Sequence, residues 1–356
     1  MFDLTRCPAA GSARRSRSLA ASLILLVASL VSVGIAVPAA GAATDVVVHA
    51  GGNGLGGRGD YPDELAFSPS GKVLATADSD GSARLWNVAT RRQIGAPIIV
   101  KGVLVLDVAF RPDGKVLATA DSDGTVRLWN VATHRQVSAP IIVSRVRVLG
   151  VAFSPDGKVL ATAGIGGSAR LWDVATRRQI GAAMTPGGGP VHAVTFSPNG
   201  KILGTDSEFS AQLWDVATQR QTGKPIGSLT PVNDAVMAVA FSPDGKVLAT
   251  AGDGNGYVQL WNVTTHRQIG RTMSAGTTDA YAVAFTPDGK TLVSTDTDGT
   301  IRQFDVATQR QIRVLAPKGA PEFIVAALSP NGKILATTQF LGPAQVWNLG
   351  LRKALR

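Results

Sequence analysis

Three short acidic segments have the residue types and spacing that come closest to a metal site. All three read Asp-x-Asp-Gly: Asp78-Ser79-Asp80-Gly81, Asp121-Ser122-Asp123-Gly124 and Asp296-Thr297-Asp298-Gly299. Alternating carboxylates open the twelve-residue calcium loop, which also needs a third oxygen ligand and a glutamate at its end. Here a serine or threonine occupies the fifth position, and strand-forming residues follow it. Because Asp-Gly also favours tight hairpin turns, we interpret these segments as turns and predict no metal site.

No other set of side chains has a spacing typical of catalysis. The four histidines, His49, His134, His192 and His266, show no metal-ligand spacing. The chain has no Gly-x-Ser-x-Gly motif, and the glycine-rich segment 51–57 lacks the lysine of a phosphate loop. We therefore predict no catalytic residue and no cofactor.

Residues 1–43 have the pattern of an export signal. Four arginines precede an uncharged stretch, and small residues follow it up to Ala43. This order is typical of a cleaved secretory signal peptide, with the cut after Ala42 or Ala43. The alternative is an uncleaved anchor helix that contacts a membrane only through residues 18–37. The single cysteine, Cys7, lies before the apolar stretch, so a cleaved protein has no thiol for catalysis.

The rest of the chain is one motif repeated seven times. A phrase such as Phe67-Ser68-Pro69-Ser70-Gly71-Lys72 recurs at spacings of 43, 43, 43, 45, 44 and 43 residues. All six tryptophans fall in one slot of the repeat, and a phenylalanine fills that slot once: Trp86, Trp129, Trp172, Trp214, Trp261, Phe304 and Trp347. A period of this length indicates a propeller or a solenoid. One period is too small to bury both of its faces, so neighbouring repeats must cover it.

Each period predicts four short strands. In the first period these are Leu65–Phe67, Val73–Ala77, Ala83–Asn87 and a strand that begins at Arg92, with turn residues between them. We predict an all-β fold, a seven-bladed β-propeller of four-stranded blades over residues 61–356. Two segments are candidates for the last strand of the seventh blade. One is 45–49, within a closing strand and linker at 44–60, which we favour, and the other is 352–355.

These repeats resemble the WD40 family, here in the form of a bacterial secreted propeller. The copies GKVLATADSDGSARLWNVAT and GKVLATADSDGTVRLWNVAT carry the resemblance, although the family's Gly-His pair is absent from every copy. The resemblance implies a seven-bladed propeller and a hydrogen-bond network that in the first blade joins Asp80, Thr76 and Trp86. The turn aspartate of that network recurs as Asp123 and Asp298.

The composition limits the classes of function. A hydrophobic content of 45% excludes disorder, and one cysteine excludes a disulfide scaffold. Residues 1–43 contribute +3 of the net charge of +10, and the charged residues behind the remaining +7 are expected to form two rings. Repeated lysines and arginines follow the first and third strands, whereas aspartates follow the second, so we expect a basic face and an acidic face. Because no aromatic residues alternate with the basic ones, we predict no nucleic-acid binding.

The connections between blades are the most variable part of the repeat. Variable loops on a rigid scaffold are common recognition sites. Our candidate binding residues come from these connections: Lys101, Arg145, Arg147, His192, Asp234, Asp279, Tyr281 and Phe323. We predict a monomeric, non-catalytic scaffold, secreted or tethered to the cell envelope, that binds a protein or an anionic polymer. The alternative is a propeller enzyme, lactonase-like or quinoprotein-like, with its site in the central channel.

Overall fold

The computed structural model describes residues 62–349, apart from 79, 188, 208–209, 228–235, 253–255, 275–278, 316–322 and 340–341. The expected export signal (1–43), the strand and linker at 44–60 and both candidates for the closing strand lie outside the described residues. No helix in the described part of the chain is long and apolar enough to cross a membrane.

The described residues form seven antiparallel sheets in chain order. Blade 1 contains β1 (Pro62–Phe67), β2 (Val73–Asp78), β3 (Ser82–Asn87) and β4 (Ile98–Ile99), and blade 2 contains β5 (Val105–Phe110), β6 (Val116–Asp121), β7 (Thr125–Asn130) and β8 (Ile141–Ile142). Blade 3 contains β9 (Val148–Phe153), β10 (Val159–Gly164), β11 (Ser168–Asp173) and β12 (Gln179–Met184), and blade 4 contains β13 (Val194–Phe196), β14 (Ile202–Ser207) and β15 (Ser210–Asp215). Blade 5 contains β16 (Val236–Phe241), β17 (Val247–Gly252), β18 (Tyr257–Asn262) and β19 (Met273–Ser274). Blade 6 contains β20 (Ala280–Phe285), β21 (Thr291–Asp296), β22 (Ile301–Asp305) and β23 (Arg310–Leu315), and blade 7 contains β24 (Phe323–Leu328), β25 (Ile334–Gln339) and β26 (Gly342–Asn348).

This arrangement confirms the predicted all-β, seven-bladed propeller of four-stranded blades. Five sheets show all four strands, and in blade 4 two isolated bridges mark the fourth, Ala211 with Ile226 and Trp214 with Gln221. The fourth strands of blades 1, 2 and 5 are only two residues long, whereas those of blades 3 and 6 have six. In blade 1 Gln93 bridges to Trp86, Gly95 adopts a φ of +66°, and regular pairing resumes at Ile98.

Neighbouring blades bury both faces of each sheet. The third strand of blade 1 shows this directly, because Leu85 packs with blade 2 and the adjacent Trp86 packs with blade 7. Successive side chains of a strand point to opposite faces, so a run of apolar residues serves two interfaces at once. Small alanines such as Ala75 and Ala77 let the sheets approach closely, and both are fully buried.

The ring of blades is closed. Leu65 and Trp86 of blade 1 share one apolar cluster with Val325 and Ala336 of blade 7. A second contact repeats seven times around the ring, in which the proline of each turn after a first strand packs on the glycine of the same turn in the next blade. The pairs are Pro69–Gly114, Pro112–Gly157, Pro155–Gly200, Pro198–Gly245, Pro243–Gly289, Pro287–Gly332 and, across the closure, Pro330–Gly71.

The antiparallel order of the strands gives the propeller two distinct faces. Turns after first and third strands lie together, as the bond from Val88 N to Lys72 O (3.0 Å) shows, and we call this side the turn face. Turns after second strands lie with the connections between blades, as the bond from Ser122 N to Leu104 O (2.9 Å) shows, and we call this side the loop face.

In each blade that has a tryptophan at the repeated position, the tryptophan side chain forms a hydrogen bond within its own blade. The indole Nε1–H donates to a threonine hydroxyl of the second strand in six blades. The pairs are Trp86–Thr76, Trp129–Thr119, Trp172–Thr162, Trp214–Thr205, Trp261–Thr250 and Trp347–Thr337, at 2.9 to 3.1 Å. In blade 6 Phe304 has no donor, and the hydroxyl of Ser294 at the threonine position has no hydrogen-bond partner among the described residues.

Candidate functional site

The predicted binding residues lie at different blade boundaries on the loop face. Their positions follow from the connections that carry them. Lys101 lies between β4 and β5, Arg145 and Arg147 between β8 and β9, His192 before β13, Asp279 and Tyr281 at the start of β20, and Phe323 at the start of β24. Asp234 lies outside the described residues. The structure therefore distributes the described ones around the ring, and only two pairs share a connection, Arg145 with Arg147 and Asp279 with Tyr281.

His192 and Asp206 form one contact pair in blade 4. The Asp206 Oδ1 accepts hydrogen bonds from the backbone amides of His192 (3.1 Å) and Ala193 (2.7 Å), and its Oδ2 lies 3.8 Å from His192 Nδ1. Burial of the carboxyl group raises the pKa of Asp206 to about 7, although the two amides favour its charged form. The contacts hold the connection before β13 in place, which is a structural role for this histidine.

Three buried arginine–aspartate clusters are the main polar feature of the loop face, and sequence reasoning missed them. Arg84 of β3 pairs with Asp78 Oδ2 (2.5 Å) and Asp80 Oδ2 (2.6 Å). Arg127 pairs in the same way with Asp121 (2.6 Å) and Asp123 (2.7 Å) in blade 2. Blade 6 repeats the cluster with Arg302, Asp296 and Asp298.

The two aspartates of each cluster have different electrostatic environments. Burial raises the pKa of Asp121 to about 7 even though Arg127 opposes that shift. For Asp123, burial acts in the same direction but is outweighed by hydrogen bonds from Arg127 and Thr125, which lower its pKa. The guanidinium is thus shared between an inner and an outer carboxylate.

These clusters correct two expectations. The turn aspartate Asp80 was expected to continue the network of Thr76 and Trp86, but it accepts hydrogen bonds from Ser82 and Arg84, whereas the hydroxyl of Thr76 accepts from the Trp86 indole. The expected acidic face is also reduced. Its inner aspartates are buried and its turn aspartates are paired with strand arginines, so little free negative charge is left at these turns: Asp78, Asp121, Asp206 and Asp296 are buried, and Asp80, Asp123 and Asp298 are paired.

Blade 3 keeps the arginine of the cluster and lacks both aspartates. Arg170 of β11 occupies the strand position of Arg84, whereas Gly164 and Gly166 replace the inner and the outer aspartate. Arg170 is partly buried, and no carboxylate among the described residues lies within ion-pair distance of it. The guanidinium therefore stands beside the space that two carboxylates fill in blades 1, 2 and 6.

Apolar and basic side chains surround this position on the loop face. Val146 lies 3.6 Å from the position that a Cβ of Gly166 would take, and the amide of Ile165 donates to Arg147 O (3.2 Å). Val146 is 43% exposed and Ile165 is 38% exposed. We call the group of Arg145, Val146, Ile165 and Arg170 the blade 3 patch. It combines exposed apolar side chains with two arginines that have no ion-pair partner among the described residues.

The first strands contact one another around the ring and line the central channel. Two carboxyl groups occupy equivalent positions of adjacent first strands there, Glu64 in β1 and Asp107 in β5. Asp107 accepts hydrogen bonds from Val108 N (2.6 Å) and from Val151 N of blade 3 (2.7 Å), and burial raises its pKa to about 8. Among the described residues no group of three or more His, Cys, Asp or Glu is arranged to hold a metal ion.

A signal for the blade 3 patch is present in the sequence once the repeats are aligned. Only the third repeat combines an arginine at the strand position with glycines at both aspartate positions. This substitution pattern can be interpreted only with the tertiary structure, because the aligned sequences do not show that Arg84 and Asp80 form an ion pair.

The chain matches a model of a known protein family. The family model described as outer membrane protein assembly factor BamB matches residues 52–314, which include nearly all of the first six blades. In a comparison with curated proteins, none matches this chain.

Proposed function

The chain belongs to the family described as outer membrane protein assembly factor BamB, and on that premise we propose that it is a non-catalytic scaffold of the cell envelope that binds a protein partner through its loop face. The single observation that supports the binding site is the unpaired Arg170 beside Gly164 and Gly166. A guanidinium left partly desolvated without a carboxylate is unfavourable, and a partner that supplies one relieves this cost.

The chemistry of the patch favours a protein partner over a polymer of uniform charge. Val146 and Ile165 give an apolar area, and exposed apolar groups that adjoin charged ones are typical of protein interfaces. An acidic side chain of the partner would enter the space beside Arg170, while apolar side chains next to it would cover Val146 and Ile165. The partner segment is therefore predicted to combine acidic and apolar residues.

Site-specific photo-crosslinking in cells tests this proposal. A photoreactive amino acid at Ile165 is expected to give a discrete crosslinked protein in the envelope fraction. The matched control is Ile142, which is 75% exposed on the outermost strand β8 and lies outside the patch. Arg170→Gln, which introduces the residue that blades 4, 5 and 7 carry at this position, is expected to reduce the crosslink at Ile165 at least five-fold.

The dependence on salt separates a charged interface from an apolar one. If the interface depends on Arg170, the crosslink falls as the salt concentration rises. Equal adducts at Ile165 and Ile142, or an adduct at Ile165 that neither Arg170→Gln nor salt reduces, would contradict the proposed site.

The alternative function is a propeller enzyme with lactonase-like or quinoprotein-like chemistry in the central channel. Glu64 and Asp107 are the carboxyl groups that such an enzyme would have at its disposal among the first-strand side chains that the structure describes. Carboxyl groups do not fit an anionic quinone cofactor, which needs cationic partners. Lactone hydrolysis that is lost in Asp107→Asn would favour the enzyme over the scaffold.

We assign the blades to the WD40 type and residues 1–43 to export. Support for the WD40 type comes from the buried tryptophan–threonine bond in six blades, although no repeat has the Gly-His pair. N-terminal sequencing of the protein from the culture medium and from membranes tests the export assignment. Cleavage after Ala42 or Ala43 supports a secreted form, and an intact N-terminus in membranes supports a tethered form.

A further inference from the structure

A side-chain latch joins neighbouring blades at the outer part of the turn face. The residue that ends the turn after the third strand has a positive φ in blades 1 to 6, and in blades 2, 4, 5 and 6 its side chain reaches the fourth-strand segment of the preceding blade. His134 Nδ1–H donates to Ala96 O (2.7 Å), and His266 Nδ1–H donates to Lys224 O (2.6 Å). Gln219 Oε1 accepts from Ala182 N (3.0 Å), and Gln309 Oε1 accepts from Arg271 N (2.7 Å).

Each latch side chain lies against a glycine of the preceding blade. A Cβ added to Gly95 would come within 2.6 Å of the His134 ring, and one added to Gly223 would come within 2.9 Å of the His266 ring. Gly181 and Gly270 are in equivalent contact with Gln219 and Gln309. The latch therefore needs both a histidine or glutamine and a glycine opposite it.

The boundary between blades 2 and 3 lacks both parts of the latch. Ser138 stands where the fourth strands of blades 1, 3, 4 and 5 have glycine and blade 6 has Arg313, and it does not adopt the positive φ of Gly95 and Gly181. Arg177 stands where blades 2, 4, 5 and 6 have histidine or glutamine, and it is exposed, with no side-chain hydrogen bond to blade 2.

A pocket of about 560 Å³ opens at this boundary. Its cationic lining consists of Arg111, Lys158 and Arg177, and its apolar lining includes Val116 and Leu128. Arg111 is itself a departure from the repeat, because the six other blades have serine or threonine there. In those blades the hydroxyl stabilises the turn, as Ser154 Oγ does by accepting a hydrogen bond from Val159 N (2.9 Å). Blade 2 lacks this hydrogen bond and has a cationic side chain in its place.

The acidic groups near the pocket are already engaged. Asp113 pairs with Arg111 (2.5 Å), and Asp173, which lines the pocket, accepts bonds from the amide and the hydroxyl of Thr176, both at 2.7 Å. Lys158 and Arg177 have no carboxylate within ion-pair distance among the described residues. The pocket lining therefore combines two cationic side chains that have no described ion-pair partner, Lys158 and Arg177, with apolar side chains.

We infer that this pocket, on the face opposite the blade 3 patch, binds a small organic anion with an oxyanion head and a short apolar body. The volume lies within the range of about 300–1,000 Å³ that is common for small-molecule sites. Arg177 and Lys158 would bind the head group, and Val116, Leu128 and Val137 would cover the body. The inference does not depend on the proposed protein partner.

Calorimetric titration of the purified protein with octanoate and with octyl phosphate tests the inference. At least one of them is expected to bind with a Kd below about 1 mM, and octanol and inorganic phosphate are expected to bind at least ten-fold more weakly. The ratio of the two Kd values decides between a carboxylate and a phosphate head group. Failure of both octyl anions to bind at 5 mM, or equal binding of octanol, would overturn the inference.

Restoring the latch provides the matched variant. The double substitution Ser138→Gly and Arg177→Gln recreates the Gly181–Gln219 pair and is expected to close the pocket, reduce binding at least ten-fold and raise Tm. Arg91→Gln makes the same change of charge in blade 1 and is expected to leave binding within two-fold. Arg111→Ser, the residue type of other blades, is expected to weaken binding without loss of the fold. Unchanged binding in both pocket variants would contradict the site.

Discussion

Among single residues, the buried indole hydrogen bonds are the most regular feature of the protein. Six tryptophans donate to a threonine, whereas Phe304 leaves Ser294 without a hydrogen-bond partner among the described residues. A buried donor that loses its acceptor costs about 1–3 kcal/mol, whereas removing a hydroxyl that makes no bond costs little. Blade 6 is therefore a natural control for the other six blades.

Thr162→Val is expected to lower the free energy of unfolding by about 1–3 kcal/mol, because it leaves the Trp172 indole N–H unpaired in the core. Ser294→Ala is expected to change it by less than about 0.5 kcal/mol. Urea unfolding of both variants checks the pair of values. Equal destabilisation by the two substitutions would show that side-chain volume, and not the hydrogen bond, accounts for the effect.

Asp206 makes stability depend on pH. Its pKa is about 7 in the folded protein, whereas the ordinary value for an aspartate is 3.8, so the folded state binds the proton more tightly. The contribution of the raised Asp206 pKa to the free energy of unfolding is fully present below pH 3.8 and is lost as the pH rises through 7. Asp206→Asn keeps the Oδ1 acceptor for the His192 and Ala193 amides, and is expected to be more stable than wild type at pH 8 by roughly 2–4 kcal/mol.

Urea unfolding at pH 5 and pH 8 measures this difference. The control is Asp156→Asn, an exposed turn position at which blades 4 and 7 already have Asn199 and Asn331. In the wild type, a hydrogen bond from the Ser154 hydroxyl is the main cause that lowers the pKa of Asp156. The contribution of Asp156 to the pH dependence of stability therefore has the opposite sign to that of Asp206. The assignment fails if Asp206→Asn retains the full wild-type loss of stability between pH 5 and pH 8.

At the scale of secondary-structure elements, the contacts between blades differ around the ring. Latches join blades 1 and 2, 3 and 4, 4 and 5, and 5 and 6, through His134, Gln219, His266 and Gln309. Blades 2 and 3 lack a latch, but Asp107 joins their innermost strands through Val151 N. This boundary is therefore held at the channel and open at the outer turn face.

Gln309→Ala is expected to lower the free energy of unfolding by about 1–2 kcal/mol, because Gln309 is 9% exposed and bonds both Arg271 N and Ile269 O of blade 5. Arg91→Ala, at the equivalent position of blade 1, removes a side chain without a described latch and is expected to cost less than about 0.5 kcal/mol. Thermal unfolding of both variants tests the latch. A larger loss in Arg91→Ala would contradict it.

At the scale of the whole molecule, closure of the ring gives every blade two neighbours. The apolar cluster of Leu65, Trp86 and Val325 joins blades 1 and 7, and the contact of Pro330 with Gly71 completes the ring on the turn face. Blade 3 differs from several other blades on both faces: Gly164 and Gly166 replace the aspartates of blades 1, 2 and 6 on the loop face, and Arg177 replaces the histidine or glutamine of blades 2, 4, 5 and 6 on the turn face. Departures from a repeated sequence are informative here because the other blades show which contact each residue would otherwise make.

The repeat period by itself determined the number of blades, the order of strands and the slots for tryptophan, because period and hydrophobic alternation are properties of the chain read along its length. It also placed Lys101, Arg145 and Arg147 in connections between blades. The ion pair of Arg84 with Asp78 and Asp80, the latches and the blade 2–3 pocket were decided only by the tertiary structure. These features depend on distances between side chains that folding brings together, and the charge pattern alone predicted an acidic face where the fold buries or pairs those aspartates.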